Sequence, residues 1–316
     1  MVQNNKRVII AEPRSFCAGV RRAISIIELA LERYGPPIYV RKEIVHNHYV
    51  VRLLEQRGAR FVASESDVPE GAVCVFSAHG VAPEVRVNAA SRGLDVIDAT
   101  CPLVSKVHTA ARKFAKTGRT LLLVGHAEHE EVVGTYGEAP QQTLIVETVE
   151  DVARLTIPDD TPVAFLTQTT LSMDETKDIL AALRARFTDL AGPEDGDICY
   201  ASQNRQNAIK AIARLSDVVL VVGSHNSSNS VRMVEVSRAL GTPAYLVPEP
   251  ADLQPAWLDG ATVVGVSAGA SAPEVLVEWL LDRLADLGYT DVELETTVTE
   301  DVVFATPARL TSPVGK

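Results

Sequence analysis

Cysteine is scarce in this chain, and its scarcity excludes one class of protein. Only four of the 316 residues are cysteines, at positions 17, 74, 101 and 199. Four such widely spaced cysteines do not form the disulfide framework of a small secreted protein. In a reducing compartment, cysteines with this spacing are metal ligands, catalytic groups or residues of the core.

Long apolar runs are also missing. The longest, such as Val218–Val222, fall far short of the roughly 20 residues that a membrane-spanning helix needs. The apolar stretch near the N-terminus, Val8–Ala11, is too short for a signal peptide. We therefore expect a soluble, cytoplasmic protein that does not bind a membrane.

Positive charge is in deficit. Lysine and arginine number 30 against 41 aspartates and glutamates, which gives a net charge of −11 and a pI near 5.2. An acidic chain is a poor general binder of nucleic acid or anionic lipid. An anionic ligand must therefore be held by local donors, and we expect no nucleic-acid partner.

The composition that remains is that of a folded protein. Hydrophobic residues make up 46% of the chain and charged residues 22%. A prior of about one domain per 150 residues favours two or three domains. No segment has low complexity, and disorder is expected only around Ser312–Lys316.

Three of the cysteines stand just before a predicted helix. Apolar residues recur at helical spacing after Cys17, Cys101 and Cys199. A thiolate at that position is favoured by unpaired backbone N–H groups and by the helix dipole. Cys74 lies inside an apolar, β-prone run instead and is interpreted as a core residue.

The sequence around these cysteines repeats. Cys101 follows Cys17 by 84 residues, and Cys199 follows Cys101 by 98. A polar cluster comes 28 to 30 residues after each cysteine, and a second polar turn follows a later predicted strand. The clusters are His46-Asn47, His129 and Ser227–Asn229, and the turns are Ser77–His79, Thr167–Thr170 and Ser267–Ser271.

This pattern predicts three similar α/β units whose polar turns point at a shared centre, because ligands bind at the carboxyl ends of strands in such sheets. The alternative is three unrelated βα segments with coincident spacing. Three dispersed cysteines favour a four-iron cluster over structural zinc, which usually has short C-x₂₋₄-C pairs. With three thiolates, one iron stays open to a substrate oxygen. A non-catalytic iron–sulfur carrier or sensor and a zinc-stabilised binding module remain alternatives.

The polar residues of the clusters and turns are candidates for binding an anion without lysine or arginine. A histidine taken alone is more often a structural residue than a ligand contact, and we interpret His108, on the helix after Cys101, as structural. Glu131 is a candidate proton donor, since a neighbouring anion would raise its pKa; the alternative is a solvated loop carboxylate. Thr169 could relay a proton, or could cap the next helix, for which Ser172 is a rival.

Taken together, the motifs resemble one known family, the 4-hydroxy-3-methylbut-2-enyl diphosphate reductases. The resemblance runs in order from Val8 to Pro307. The matching segments are Phe16–Val20, Val45–Asn47, Phe76–Gly80, Asp98–Pro102, Thr167–Thr170, Asp197–Tyr200, Gly223–Ser230 and Ser267–Pro273. Glu130 stands where the family often has proline, and Ser15 where glycine is frequent.

The resemblance implies an α/β fold of three similar domains in a pseudo-threefold arrangement around a central [4Fe-4S] cluster. The implied domains are 14–100, 101–197 and 198–285, with 1–13 and 286–316 as terminal segments packing on the core. It implies the last step of the methylerythritol phosphate route to isoprenoids. Two electrons and two protons convert the hydroxylated allylic diphosphate to isopentenyl and dimethylallyl diphosphates plus water.

The resemblance also implies roles for individual residues. It makes Cys17, Cys101 and Cys199 the cluster ligands, and Glu131, Thr169 and His129 catalytic residues. An external donor such as ferredoxin or flavodoxin with its reductase would supply the electrons. The implied substrate-binding residues are His46, His79, His129, Thr169, Ser227, Ser228, Asn229 and Ser271.

Overall fold

The computed structural model describes residues 6–194 and 196–311, in which helices alternate with parallel strands. The strands are β1 (Arg7–Glu12), β2 (Ile38–Arg41), β3 (Ala59–Val62), β4 (Val73–Phe76), β5 (Asp95–Asp98), β6 (Thr120–Val124), β7 (Thr143–Val146), β8 (Val163–Thr167), β9 (Leu190–Ala191), β10 (Val218–Val222), β11 (Ala244–Val247), β12 (Val263–Ala268) and β13 (Asp291–Thr296). The helices are α1 (Ala18–Tyr34), α2 (His48–Gln56), α3 (Pro83–Ser91), α4 (Pro102–Lys116), α5 (Glu130–Tyr136), α6 (Val149–Arg154), α7 (Met173–Arg186), α8 (Tyr200–Ala213), α9 (Ser228–Ala239), α10 (Glu274–Asp286) and α11 (Ala308–Thr311).

The described residues form two compact units. The five-stranded unit comprises the described residues up to Ala18, together with His46–Val50 and Tyr200–Val303. The two-sheet unit comprises Gly19–Val45, Val51–Cys199 and the described residues from Phe304 onward.

The five-stranded unit contains one parallel sheet of order β11-β10-β12-β1-β13. All five residues of β10 are buried, as is typical of a parallel strand with helices on both faces. Val218, Leu220 and Val222 pack in one core with residues of α10. Val219 and Val221 pack in a second core with residues of α8 and α9. Alternate residues of β10 therefore pack into two different cores.

The two-sheet unit contains two parallel sheets, of order β3-β2-β4-β5 and β7-β6-β8-β9. Strand β6 repeats the pattern of β10. Leu122 and Val124 pack with α7, whereas Leu121 and Leu123 pack with α4 and α5. Parallel strands thus place their carboxyl ends, and the turns that follow, along one edge of each sheet.

Helix ends follow local chemistry. Helix α1 stops at Gly35, whose positive φ of 74° suits glycine, and the Gly35 N–H bonds to the Leu31 carbonyl. Helix α4 begins with Pro102, a residue suited to the first helical position. Helix α9 is capped by Ser227, whose hydroxyl accepts a hydrogen bond from the Ser230 N–H.

The predicted α/β fold is confirmed, with three parallel sheets of four or five strands. Strands β2–β5 lie within 14–100, β6–β9 within 101–197 and β10–β12 within 198–285, whereas β1 and β13 come from the predicted terminal segments. The domain limits themselves stay a prediction, and Ser312–Lys316 lie outside the described residues. Across residues 6–194 and 196–311, no helix has the length and apolarity needed to span a membrane.

Candidate active site

The three cysteines of the predicted repeat share one local structure. Each directly precedes the first residue of a helix, namely α1, α4 or α8. Each also donates its backbone N–H to the carbonyl of a turn that follows a strand. The pairs are Cys17 with Ala270 at 3.1 Å, Cys101 with Ala78 at 2.9 Å and Cys199 with Thr169 at 2.9 Å. The same backbone hydrogen bond thus links a cysteine to the turn after each of the strands β12, β4 and β8.

These three thiols suit metal ligation, and the fourth does not. Cys17, Cys101 and Cys199 are not in disulfides and are only partly buried, and each directly precedes a helix. Cys74 is fully buried in β4, and its burial, with the nearby Glu65 carboxylate, raises the pKa of its thiol to about 11. Within the described ranges, no three His, Cys, Asp or Glu side chains are grouped as ligands of a single metal ion.

Glu131 and Thr169 form a buried pair in the two-sheet unit. Glu131, on α5, is 3% exposed. Its carboxylate accepts hydrogen bonds from the Thr169 N–H at 2.7 Å and from the Thr169 hydroxyl at 3.0 Å. Burial raises the pKa of Glu131 to about 7, against the opposing effect of the two hydrogen bonds and with a small contribution from Asp197. Near neutral pH this group can therefore hold or release a proton.

Neither of the alternative interpretations describes this pair. Glu131 is not a solvated loop carboxylate, because it lies in the interior. Ser172, not Thr169, caps α7, since the Ser172 hydroxyl accepts the hydrogen bond from the Glu175 N–H. The hydroxyl of Thr169 is directed at Glu131 instead.

The adjacent carboxylate, Glu130, has a different environment. Its oxygens lie 3.3 Å from Lys42 Nζ and 3.7 Å from Arg41 Nη1, in partly exposed ion pairs. Of the two carboxylates that begin α5, Glu131 is therefore the one that contacts Thr169.

Two of the candidate histidines lie next to each other in the same unit. The rings of His79 and His129 meet edge to face, with centroids 5.8 Å apart and planes at 87°. His129 caps α5, and its Nδ1 accepts a hydrogen bond from the Glu131 N–H at 3.2 Å. An imidazole that accepts at Nδ1 carries its proton on Nε2, so that nitrogen is a donor suited to an anion.

The other candidate anion-binding residues converge in the five-stranded unit. The Ser271 hydroxyl donates to the His46 carbonyl at 2.9 Å and lies 3.3 Å from the Ser227 hydroxyl. The Asn229 side-chain oxygen accepts from the Ala270 N–H at 2.8 Å. Ser228 begins α9 immediately after Ser227. The structure thus brings together His46, Ser227, Ser228, Asn229 and Ser271.

The whole chain resembles proteins of one family. The family model described as "LytB protein" matches residues 8–285. The chain belongs to the LytB family. A Mycobacterium tuberculosis protein named 4-hydroxy-3-methylbut-2-enyl diphosphate reductase 2 is 56% identical over 98% of this chain and 93% of its own length. A Rhodopseudomonas palustris protein named 4-hydroxy-3-methylbut-2-enyl diphosphate reductase 1 is 53% identical over 96% of this chain and 99% of its own.

Solved structures of relatives agree with this family assignment. The Plasmodium falciparum E-1-hydroxy-2-methyl-but-2-enyl-4-diphosphate reductase superposes with a TM-score of 0.94, at 38% identity over 97% of each chain. A second structure, titled as the terminal enzyme of the non-mevalonate pathway, has a TM-score of 0.64 at 32% identity, covering 89% of this chain and 99% of its own. The family predicted from the motifs is confirmed.

Sequence reasoning missed several residues that support the LytB-family site. The buried Gln168 side chain accepts from the His126 N–H at 3.1 Å and donates to the Thr170 hydroxyl at 2.9 Å, so it shapes the turn before Thr169. Ser230 packs so closely on Gly223 and Gly269 that a Cβ on either would lie within 2.3 Å of its hydroxyl. The sequence feature that could have indicated Ser230 is the presence of glycine in each of the two neighbouring turns, at Gly223 and Gly269.

Proposed function

We propose that this LytB-family chain reduces 4-hydroxy-3-methylbut-2-enyl diphosphate to isopentenyl and dimethylallyl diphosphates. The chain is an oxidoreductase of this family. In the proposed reaction two electrons and two protons enter, the allylic C–O bond breaks and water leaves. The observation that supports this most is identity above 50% to proteins named for this reductase, over nearly the full chain.

The cofactor in this proposal is a [4Fe-4S] cluster held by Cys17, Cys101 and Cys199. The donor set fits, since all three are partly exposed thiols outside any disulfide, and each is held at a helix N-terminus by the same kind of backbone hydrogen bond. When bound, the cluster would pass the donor's electrons to the substrate and would offer a Lewis-acidic iron to its hydroxyl oxygen. The proposed domains, 14–100, 101–197 and 198–285, each contribute one of these ligands.

The proposed substrate anchors are His46, His79, His129, Ser227, Ser228, Asn229 and Ser271. Binding the diphosphate uses interactions remote from the bond that breaks, and so holds the hydroxyl end in one orientation. The serine and asparagine side chains supply neutral donors. The Nε2 of His129 supplies another, because its Nδ1 is occupied as an acceptor.

Glu131 and Thr169 provide the proton in this scheme. Burial keeps the Glu131 carboxyl partly protonated near neutral pH, and the Thr169 hydroxyl lies 3.0 Å from it. One proton moves from Glu131 to the departing oxygen, directly or through the Thr169 hydroxyl, and the second adds to either end of the reduced allylic group, which gives the two products. Because the pair is buried, bulk water does not compete for the Glu131 proton.

Two further elements belong to the proposal. An external donor such as ferredoxin or flavodoxin with its reductase supplies the two electrons. The enzyme acts in the cytoplasm, where the cysteines stay reduced.

The test is anaerobic purification followed by iron and sulfide analysis and a substrate assay. We expect brown protein with about four irons per chain that oxidises a reduced dye only when the hydroxylated diphosphate is added. A brown protein that ignores the substrate would indicate an electron carrier or sensor. A colourless, zinc-containing protein would indicate a binding module.

A further inference from the structure

His108 is held at one end by a buried charge. It lies on α4, 4% exposed, and its Nδ1 is 2.8 Å from Oε1 of Glu138. Arg112, one turn further along α4, places Nη1 2.8 Å from the same oxygen. Burial opposes ionisation of Glu138, yet hydrogen bonds and charge from His108 and Arg112 hold the pKa of that carboxyl below its usual range. Glu138 is therefore an anion that anchors the imidazole.

The other edge of the ring faces two glycines. Nε2 of His108 is buried and has no hydrogen-bond partner among the described residues. A Cβ on Gly80 would lie 3.0 Å from that nitrogen. A Cβ on Gly134 would lie 3.2 Å from the ring carbon Cε1 and 3.4 Å from the Gly80 carbonyl. The imidazole thus lies between the turn after β4 and helix α5, and a Cβ on either glycine would press on its ring.

Both elements in contact with the imidazole carry residues of the proposed site. Gly80 directly follows His79, and Gly134 belongs to the helix that His129 caps and on which Glu131 lies. If the His108 ring were displaced or removed, the distance between the Gly80 turn and α5 would change, and with it the 5.8 Å separation of the His79 and His129 rings.

We propose that His108 is a positioning residue that sets the spacing of His79 and His129 and so the affinity for diphosphate. This rests on the proposed function, in which those two histidines bind the diphosphate. Glu138 and Arg112 are part of the same device, since they hold the ring in place. The competing interpretation is an ordinary core histidine, which would contribute to stability and leave affinity unchanged.

Gly134→Ala separates these interpretations. Alanine is a better helix former than glycine by about 1 kcal/mol, and φ of Gly134 is not in the left-handed region. The variant should therefore fold at least as readily on local grounds. Its new methyl group, however, must displace the His108 ring or the Gly80 turn by a few tenths of an ångström.

The experiment measures the Kd of inorganic diphosphate by calorimetry, on anaerobically prepared holoenzyme. Wild type, Gly134→Ala, His108→Ala and the double variant are compared, with Lys113→Ala on the exposed side of α4 as the matched control. We expect each single variant to bind about tenfold more weakly, equivalent to about 1.4 kcal/mol. In the double variant the two losses should be well below additive, because the ring that the methyl group meets is gone.

The outcomes distinguish this inference from the proposed function. Wild-type affinity in both single variants, or strictly additive losses, would overturn the positioning role while leaving the proposed function intact. Absence of diphosphate binding by the iron-loaded wild type would overturn both. Thermal unfolding of the same samples is the second readout: a purely structural histidine would lower the unfolding temperature of His108→Ala without the loss of affinity in Gly134→Ala.

Discussion

At the scale of single residues, Glu131 is the group whose chemistry depends most on where the fold places it. It lies in the acidic stretch Glu128–Glu131, which by sequence alone resembles a solvated loop. We expect Glu131→Gln to lose turnover by about 100-fold or more, since it removes the proposed general acid, while iron and sulfide contents stay at wild-type values. The matched control is Glu130→Gln, which alters the ion pairs with Lys42 and Arg41 and should keep most of the activity. Normal turnover by cluster-loaded Glu131→Gln would show that another group donates the proton.

The same residue makes a prediction about stability and pH. Folding raises the pKa of Glu131 from its ordinary value of 4.5 to about 7. Between those two pH values the folded protein binds more protons than the unfolded chain, so the contribution of Glu131 to the free energy of unfolding falls as pH rises. Above about pH 7 that contribution is lost.

Glu131→Gln should remove this dependence. Urea denaturation at several pH values between about 4.5 and 7 should give a free energy of unfolding that falls less steeply with pH than in wild type. Glu130→Gln, which leaves the Glu131 carboxyl in place, is the matched control. An equal slope in wild type and Glu131→Gln would mean that Glu131 does not take up a proton on folding.

At the scale of elements, the loop that carries Cys17 is held by a buried arginine. Arg205 on α8 is fully buried and donates to the Ser15 carbonyl from both Nε and Nη2, at 3.2 and 2.7 Å. Its charge is balanced by Glu300, with Nη1 to Oε1 at 3.1 Å and side-chain exposures of 0% and 8%. Ser15 has a positive φ of 58°, a backbone conformation that costs energy outside glycine and so needs such support.

Breaking this buried pair should be costly. Glu300→Gln leaves the Arg205 charge without a counter-ion in the interior, and we expect the free energy of unfolding to fall by about 3 kcal/mol. The matched control is Glu274→Gln, because Glu274 contacts Arg14 and Ser15 of the same loop but is 42% exposed; it should cost about 1 kcal/mol or less. Chemical denaturation of both variants measures the difference. An equal fall in the free energy of unfolding in both variants would mean that burial does not make the Arg205–Glu300 pair more important for stability than the exposed contact of Glu274.

These elements also mark what the sequence could and could not predict. Helices after the cysteines and turns after the strands were predictable, because both are local patterns of apolar spacing, glycine and polar residues. The Arg205–Glu300 pair spans 95 residues, and no periodicity links its members. The sequence indicates only a structural role for His108, because a histidine on a helix gives no sign of Glu138, 30 residues away, or of glycines that face its ring. Contacts of this kind depend on how elements pack.

At the scale of the whole molecule, the pairing of the chain ends shows the same limit. Strands β1 and β13 are parallel neighbours, with Arg7 opposite Asp291. The alternation within Asp291–Thr296 predicts a strand but not its partner, which lies at the other end of the chain. The spacing of the cysteines, in contrast, was visible in the sequence because the repeat places one before each of three similar helices.

The proposed cluster, held by Cys17, Cys101 and Cys199, makes a prediction about global stability. A cofactor that binds only the folded chain stabilises it, and a cluster that needs all three ligands is lost when any one is removed. Calorimetry should therefore give wild type stripped by a chelator a lower unfolding temperature than the holoprotein. Cys17→Ser and Cys101→Ser, as purified, should lack the cluster and unfold near the stripped value.

The control for this comparison is Cys74→Ala, because Cys74 is buried in β4 and is not a proposed ligand. It should retain iron and sulfide. Removal of the cluster should lower its unfolding temperature by as much as in wild type, whatever the unfolding temperature of the variant before removal. If Cys17→Ser kept a full cluster and the holoprotein's unfolding temperature while Cys101→Ser lost both, then Cys17 would not be a ligand of the cluster. The decisive comparison is therefore between two identical substitutions that lie 84 residues apart in the sequence, because only a cluster that both cysteines ligate requires them to have the same effect.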